Sequence, residues 1–178
     1  MNDKFQIVSK FINAAQNAGA TVDKIQSSPE GLYNAVLNAV SDSKRIVMSE
    51  PHYIPQSIFK LFRDKADIIN QPDAHQLSSA EFGITDAFAG VARTGSVCIS
   101  VDSGISNYVS LLPETHIVVL DSKNIVERPQ DIFEQFIQEK SKTERGWIFI
   151  SGPSATADMG ELVRGAHGPA GLHIILLD

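Results

Sequence analysis

The polar chemistry of this chain is densest in two short segments near its end. Ser151 to Asp158, SGPSATAD, sets the hydroxyls of Ser151, Ser154 and Thr156 and the carboxylate of Asp158 around Gly152. Hydroxyls donate hydrogen bonds, and glycine lets a ligand approach the backbone closely. Beside a helix N-terminus such a loop suits an anion, a phosphate or a carboxylate. Downstream, RGAHGP (Arg164 to Pro169) adds Arg164, able to clamp a carboxylate, and His167, able to move a proton near neutral pH. His167 is thus the candidate acid–base group. A third loop, DSGIS, brings Asp102, Ser103 and Gly104 to the end of an apolar run and opens a helix. If the strands before the first and third loops run parallel, both loops lie on one rim of a sheet, where α/β proteins bind ligands.

Each segment also has a structural reading. Ser154 or Thr156 would cap a following helix, Asp158 would complement its dipole, and Gly152-Pro153 would turn the chain. Arg164 would favour that helix's negative end, Gly165 would take the left-handed cap, and His167 would be polar surface. Spacing alone leaves both readings open. It does exclude a hydrolase nucleophile elbow, because GPSAT lacks the second glycine of Gly-x-Ser-x-Gly. His52 and His75 have no close-spaced ligand partners, so no metal site is expected. Cys98, inside an apolar run, reads as packing. Gly95 reads as a positive-φ link, and Thr85 as a helix cap with Asp86 in the first turn.

The elements that would position these residues alternate. Phe5, Val8, Ile12 and Ala15 recur at helical spacing, and Ser28-Pro29 opens a second helix carrying Leu32, Ala35, Val36, Ala39 and Val40 on one face. Arg45 to Ser49 reads as a buried strand, and Pro55 to Phe62 as a helix. Thr85 to Ala92 reads as a helix before the strand SVCISV at Ser96 to Val101; a helix from about Ile105 to Leu112 leads into HIVVL at His116 to Leu120. Pro129 to Lys140 is amphipathic, with Ile132, Phe133, Phe136 and Ile137 inward. WIFI at Trp147 to Ile150 and LHIILL at Leu172 to Leu177 complete the strands, with a helix-sized segment between them. Strands apolar at nearly every position are covered on both faces. The expectation is an open, mainly parallel α/β sheet flanked by helices.

The 178 residues fit one domain, 1–178, with a less regular part over 1–80 and a motif-bearing part over 81–178. A net charge of −6 without basic runs argues against nucleic acid as a partner. No apolar stretch approaches the roughly 20 residues that cross a bilayer. One cysteine permits no internal disulfide and cannot alone hold an iron–sulfur cluster, so any cluster belongs to a partner, and a cytoplasmic setting is expected.

GITDAFAGVARTGSV (Gly83 to Val97), LLPETHIVVL (Leu111 to Leu120), SGPSATADMGELVRGAHGP (Ser151 to Pro169) and LHIILLD (Leu172 to Asp178), in this order, resemble the LUD-domain family of lactate-utilisation proteins in its LutC/YkgG branch. The resemblance covers about the last hundred residues. It carries over the family's recurrent Gly83, Thr85, Thr94, Gly95 and His116, together with Ser151 to Ser154, Thr156, Asp158, Arg164 and His167. It implies a fold like that of the sugar-isomerase and CoA-transferase (NagB/RpiA/CoA transferase) superfamily. It also implies a part in oxidising lactate to pyruvate alongside separate iron–sulfur subunits, with no cofactor on this chain and a rim site for a small anionic ligand. One position departs: Arg93 stands where the family usually has Glu before its Thr-Gly pair, so chemistry resting on that carboxylate does not carry over. The alternatives are a stand-alone enzyme acting on a phosphosugar or CoA thioester, and a non-catalytic assembly or regulatory protein.

Overall fold

Two long apolar strands form the centre of the molecule, β12 (Gly171–Leu177) and β7 (Thr115–Asp121), buried at nearly every position. The computed structural model describes residues 2–40, 45–63, 68–70, 72–101, 105–133, 146–158 and 160–178. Around the central pair lie β1 (Thr21–Ile25), β2 (Ile46–Met48), β3 (Ile68–Ile69) and β4 (Phe82–Asp86). The order is β1-β12-β7-β4-β2-β3, and each adjacent pair is parallel. A parallel sheet must be covered on both faces. Here α2 (Pro29–Val40), a 3₁₀ turn (Gln56–Phe59) and α3 (Lys60–Arg63) bury Ile84, Ile117, Val119 and Ile175 on one side. On the other side α1 (Asn2–Asn17) and a second sheet bury Val118, Leu120, Ile174 and Leu176. The architecture is an open, mainly parallel α/β sheet flanked by helices.

The second sheet contains β5 (Ala89–Val91), β6 (Ser96–Val101), β8 (Ile125–Val126) and β9 (Gly146–Ile150) in the order β8-β5-β6-β9. β5 with β6 and β6 with β9 are antiparallel. Three expectations are corrected here. Thr85 to Ala92 is no helix: Thr85 and Asp86 end β4, and the chain passes through Ala87 and Phe88 into β5 of the other sheet. β6 and β9 do not join the parallel sheet. The described residues between β9 and β12 form no helix; they carry two antiparallel strands of two residues each, β10 (Ala155–Thr156) and β11 (Val163–Arg164). Ser154 cannot start a helix there, because its carbonyl accepts from Gly165 N–H at 3.0 Å instead of from a residue four places on.

Two smaller differences concern the N-terminal half. The buried stripe of α1 runs through Val8, Phe11 and Ala15, while Phe5 is 68% exposed. The strand β1, TVDKI, lies at the sheet edge with mostly exposed residues. α2 begins as expected, with Ser28 Oγ accepting from Gly31 N–H at 3.0 Å. Ile132 is buried and Phe133 is half exposed, contrary to an inward face at both; residues 134–140 of that amphipathic segment lie outside the described residues. Among the described residues no helix is long and apolar enough to cross a membrane.

Candidate functional site

Helix α5 (Ser106–Leu111), the next helix after the short α4 (Ala74–Ser78), settles directly on β4. A Cβ on Gly83 would stand 2.0 Å from the carbonyl oxygen of Val109, so only glycine allows this approach. α5 then forms one wall of a cavity of about 280 Å³. β9 and the turn after it, Ile148 to Ser154, form the opposite wall, and His167 to Pro169 close a third side. The floor is His116, Gly171 and Leu172, at the amino-terminal ends of β7 and β12. The cavity therefore opens at the end of the parallel sheet opposite to the carboxyl rim.

The SGPS turn is held by three contacts. Ser151 Oγ lies 2.6 Å from Ser96 Oγ, which lies 2.6 Å from Thr94 Oγ1, a chain of hydroxyls joining β9 to the β5–β6 turn. Ser154 N–H donates to the Pro169 carbonyl at 2.8 Å and the Gly165 N–H donates to the Ser154 carbonyl, which locks the turn to RGAHGP. Gly95 and Gly152, with φ of 67° and 69°, both press on the end of α1, against Ala15 and Ala18. The Thr-Gly and Ser-Gly pairs thus clasp one helix terminus from two sides.

On the floor, Thr85 Oγ1 is 2.8 Å from His116 Nε2, while His116 Nδ1 is buried with no partner. His116 is 1% exposed, and burial lowers its pKa to about 3. It is neutral at any physiological pH.

The residues expected at a site divide into three groups. Ser151, Gly152, Ser154 and His167 all line the cavity. Thr156 and Asp158 sit on and just after β10 and are not among the wall residues; Thr156 Oγ1 is 3.5 Å from Asp158 N. Arg164 also stands apart: its Nη2 comes within 3.8 Å of the Cβ position of Gly19, beyond the end of α1. Asp102, Ser103 and Gly104 lie outside the described residues. The strands before the two loops, expected to run parallel, are antiparallel: Val101 of β6 pairs with Gly146 of β9, and Val97 with Ile150.

Of the family-motif positions, Thr94 and Gly95 belong to the clasp and Gly83 to the seat of α5. Arg93 faces a separate groove beside α1, with Lys10, Asn13 and Asn17. The carboxylate the family usually has there would therefore not face this cavity. Among the described residues no Lys, Arg, Asp or Glu lines it, and no cluster of three metal-type ligands occurs. Cys98 is fully buried and its thiol is pushed up to about 12 by burial.

Two residues with distinctive chemistry had no role assigned from the sequence. His116 reads there as a family-recurrent position inside an apolar strand, without a chemical role. Asp86 reads as a first-turn helix residue; in the structure its Oδ2 accepts N–H from His52, Tyr53 and Ile54 at the carboxyl end of β4. Burial raises its pKa against the lowering effect of those three donors. The loop after β2, beginning at Glu50-Pro51, carries those three donors.

The family model of the LUD domain matches residues 9–177. The chain belongs to the LUD-domain family. Lactate utilization protein C of an Exiguobacterium strain is 32% identical over 114 residues, 61% of this chain and 50% of that protein. The Escherichia coli protein YkgG is 33% identical over 109 residues, 58% of this chain and 47% of its own length. The chain spans about half the length of these curated relatives. A crystal structure of a DUF162 family protein from Deinococcus radiodurans superposes with a TM-score of 0.73 over 98% of both chains at 19% identity, which supports the fold.

Proposed function

We propose that this LUD-domain chain serves lactate utilisation, as a component working with separate iron–sulfur subunits, and that its cavity holds a small organic acid. The observation that carries the reading is convergence. The SGPS turn, the HGP turn and His116, from distant stretches of the chain, line one cavity, with Thr94 and Ser96 bonded in series behind Ser151 and Thr85 bonded to His116. Relatives named for lactate utilisation support the process. The single cysteine, buried in β6, supports placing clusters on partners.

The cavity favours an acid whose charge stays at the mouth. Its wall holds Leu111, Ile148, Phe149 and Leu172, with exposed His167 and the Ser151 and Ser154 hydroxyls at its edge. A carboxylate there keeps water, and the His167 ring offers it a hydrogen-bond donor. A phosphosugar or a CoA thioester brings several negative charges, for which the described wall offers no Lys or Arg. That counts against the stand-alone enzyme reading.

A thermal-shift series with lactate, pyruvate, larger 2-oxo acids, inorganic phosphate and CoA tests the ligand. A ligand that binds only the folded state raises the melting temperature by mass action. Organic acids raise it in the wild type, and His167→Ala reduces the rise; a wild type indifferent to every organic acid overturns the ligand reading. Purification from its native cells grown on lactate, followed by iron analysis of associated proteins, tests the partners. Recovery without iron-bearing partners overturns that part.

A further inference from the structure

The floor of the cavity contains a hydrogen-bonding fault that a ligand would repair. His116 pairs with Gly83 on β4 and Leu172 on β12, so its ring rises from the middle of the parallel sheet on the face covered by α5 and the second sheet. Its Nε2 meets Thr85 Oγ1 at 2.8 Å, and its Nδ1 is buried without a partner. The tautomer follows from counting donors. If Nε2 carried the proton and donated to Thr85, the threonine's own hydroxyl proton and the Nδ1 lone pair would both need partners. If Thr85 donates to Nε2, one unmet group remains, an N–H at Nδ1. The second arrangement strands fewer buried groups.

A stranded donor in a cavity wall calls for an acceptor. A carboxylate is the wrong one: the ring is neutral, with burial holding its pKa to about 3, and the described wall has no cation. An anion brought to this depth would be desolvated without compensation. An uncharged carbonyl oxygen meets the need, and Leu111, Ile148, Phe149 and Leu172 give its carbon skeleton an apolar seat.

We propose that His116 Nδ1 is the group that recognises the carbonyl of a 2-oxo acid bearing an apolar side chain, whose carboxylate stays toward His167 at the mouth. This rests on the reading of the cavity as an organic-acid site and narrows it: the carbonyl form is preferred over the saturated one, and a branched side chain over a methyl group. A site built to donate to a substrate oxygen discriminates strongly against the analogue that lacks it.

The experiment compares 4-methyl-2-oxopentanoate with 4-methylpentanoate and with pyruvate by calorimetric titration of the whole chain. The first pair differs only in the 2-oxo group, and pyruvate lacks only the apolar branch. The branched 2-oxo acid binds about tenfold or more tightly than either. In long-range proton–nitrogen spectra of the unmodified protein its addition shifts the Nδ1 resonance of His116. His116→Phe abolishes the preference for the carbonyl, and Thr85→Val, which leaves the ring in place, weakens it. Equal affinity for the 2-oxo and saturated acids, or an unmoved Nδ1 resonance, overturns the role of His116 while leaving the cavity as an organic-acid site. No binding of any of the three acids overturns both.

Discussion

Gly152 turns at a φ of 69° directly against Ala18, the residue that follows α1, so that a Cβ on it would stand 2.0 Å from the Ala18 carbonyl oxygen. The SGPS turn therefore has a packing duty before any binding duty. Gly152→Ala adds positive-φ strain of about 1–3 kcal/mol. It also adds overpacking of about 1–3 kcal/mol. The urea midpoint falls accordingly, with an unchanged slope. Gly160→Ala is the control. Its φ of 99° carries the strain, but nothing lies within 4 Å of its Cβ position, so only the smaller loss is expected. Equal losses at the two sites would remove the contact with Ala18 from the account.

Asp86 separates hydrogen bonding from charge. Asp86→Ala strands the N–H groups of His52, Tyr53 and Ile54, a loss of about 2–4 kcal/mol in unfolding free energy. The pH dependence runs the other way from that of an ordinary paired carboxylate. Burial raises the folded-state pKa above 3.8, so the stability this group contributes is fully present below 3.8 and is lost as pH rises through the raised value. Asp86→Asn is neutral at every pH and escapes that loss. Urea unfolding from pH 4 to pH 7 will show the stability difference between the asparagine variant and the wild type moving in the variant's favour with rising pH. A constant difference would mean that burial does not dominate at this carboxyl.

Cys98 offers a clean chemical readout, because it is the one thiol in the chain. It is fully buried in β6 and its thiol is pushed up to about 12 by burial. Thiolate, the reactive form, is therefore scarce as well as inaccessible. Ellman's reagent at pH 8 will leave the native protein unmodified over a period in which the urea-unfolded chain reacts completely. Fast labelling of native protein would show that the second sheet opens readily around β6.

How much of this was legible depends on whether a segment's partner lies nearby in sequence. The strands β6, β7 and β12 are continuous apolar runs, and burial on both faces makes such runs visible; β9 is equally apolar but, contrary to expectation, is an edge strand with Ile148 and Phe149 exposed. Which sheet each joins is not visible, because a doubly covered strand reads alike in a parallel or an antiparallel setting. Thr85-Asp86 imitates a helix cap, yet Thr85 answers to His116 and Asp86 to the loop after β2, partners about thirty residues away in either direction. β1 was invisible because an edge strand with Asp23 and Lys24 exposed has no apolar pattern to show. At the site, Ser151, Gly152, Ser154 and His167 were found as polar residues near glycines and do line the cavity. His116 stood out only as a family-recurrent position; its role on the cavity floor was hidden by its apolar neighbours. The helix expected around Arg164 failed because Ser154 is claimed by Pro169 and Gly165 across the turn.

His116 also predicts how the fold responds to acid. An unfolded histidine takes up a proton near pH 6.5, while burial holds this one to about 3 in the fold. A depressed histidine pKa means the native state excludes the proton, so the stability it contributes is present above 6.5 and is lost as pH falls toward 3. The loss is about 1.4 kcal/mol per pH unit within that interval. His173, also lowered by burial with Asp23 opposing, adds a slope of the same sign. Urea unfolding at pH 7, 6 and 5 isolates this slope as the difference between the wild type and a His116 variant, because the opposite slope of Asp86 is common to both. His116→Gln starts lower at pH 7, since glutamine fills the site differently, but its fall toward pH 5 is shallower by about one proton's worth. Parallel profiles for variant and wild type would show that His116 carries no pH linkage, and the neutral floor of the cavity would have to be abandoned with it.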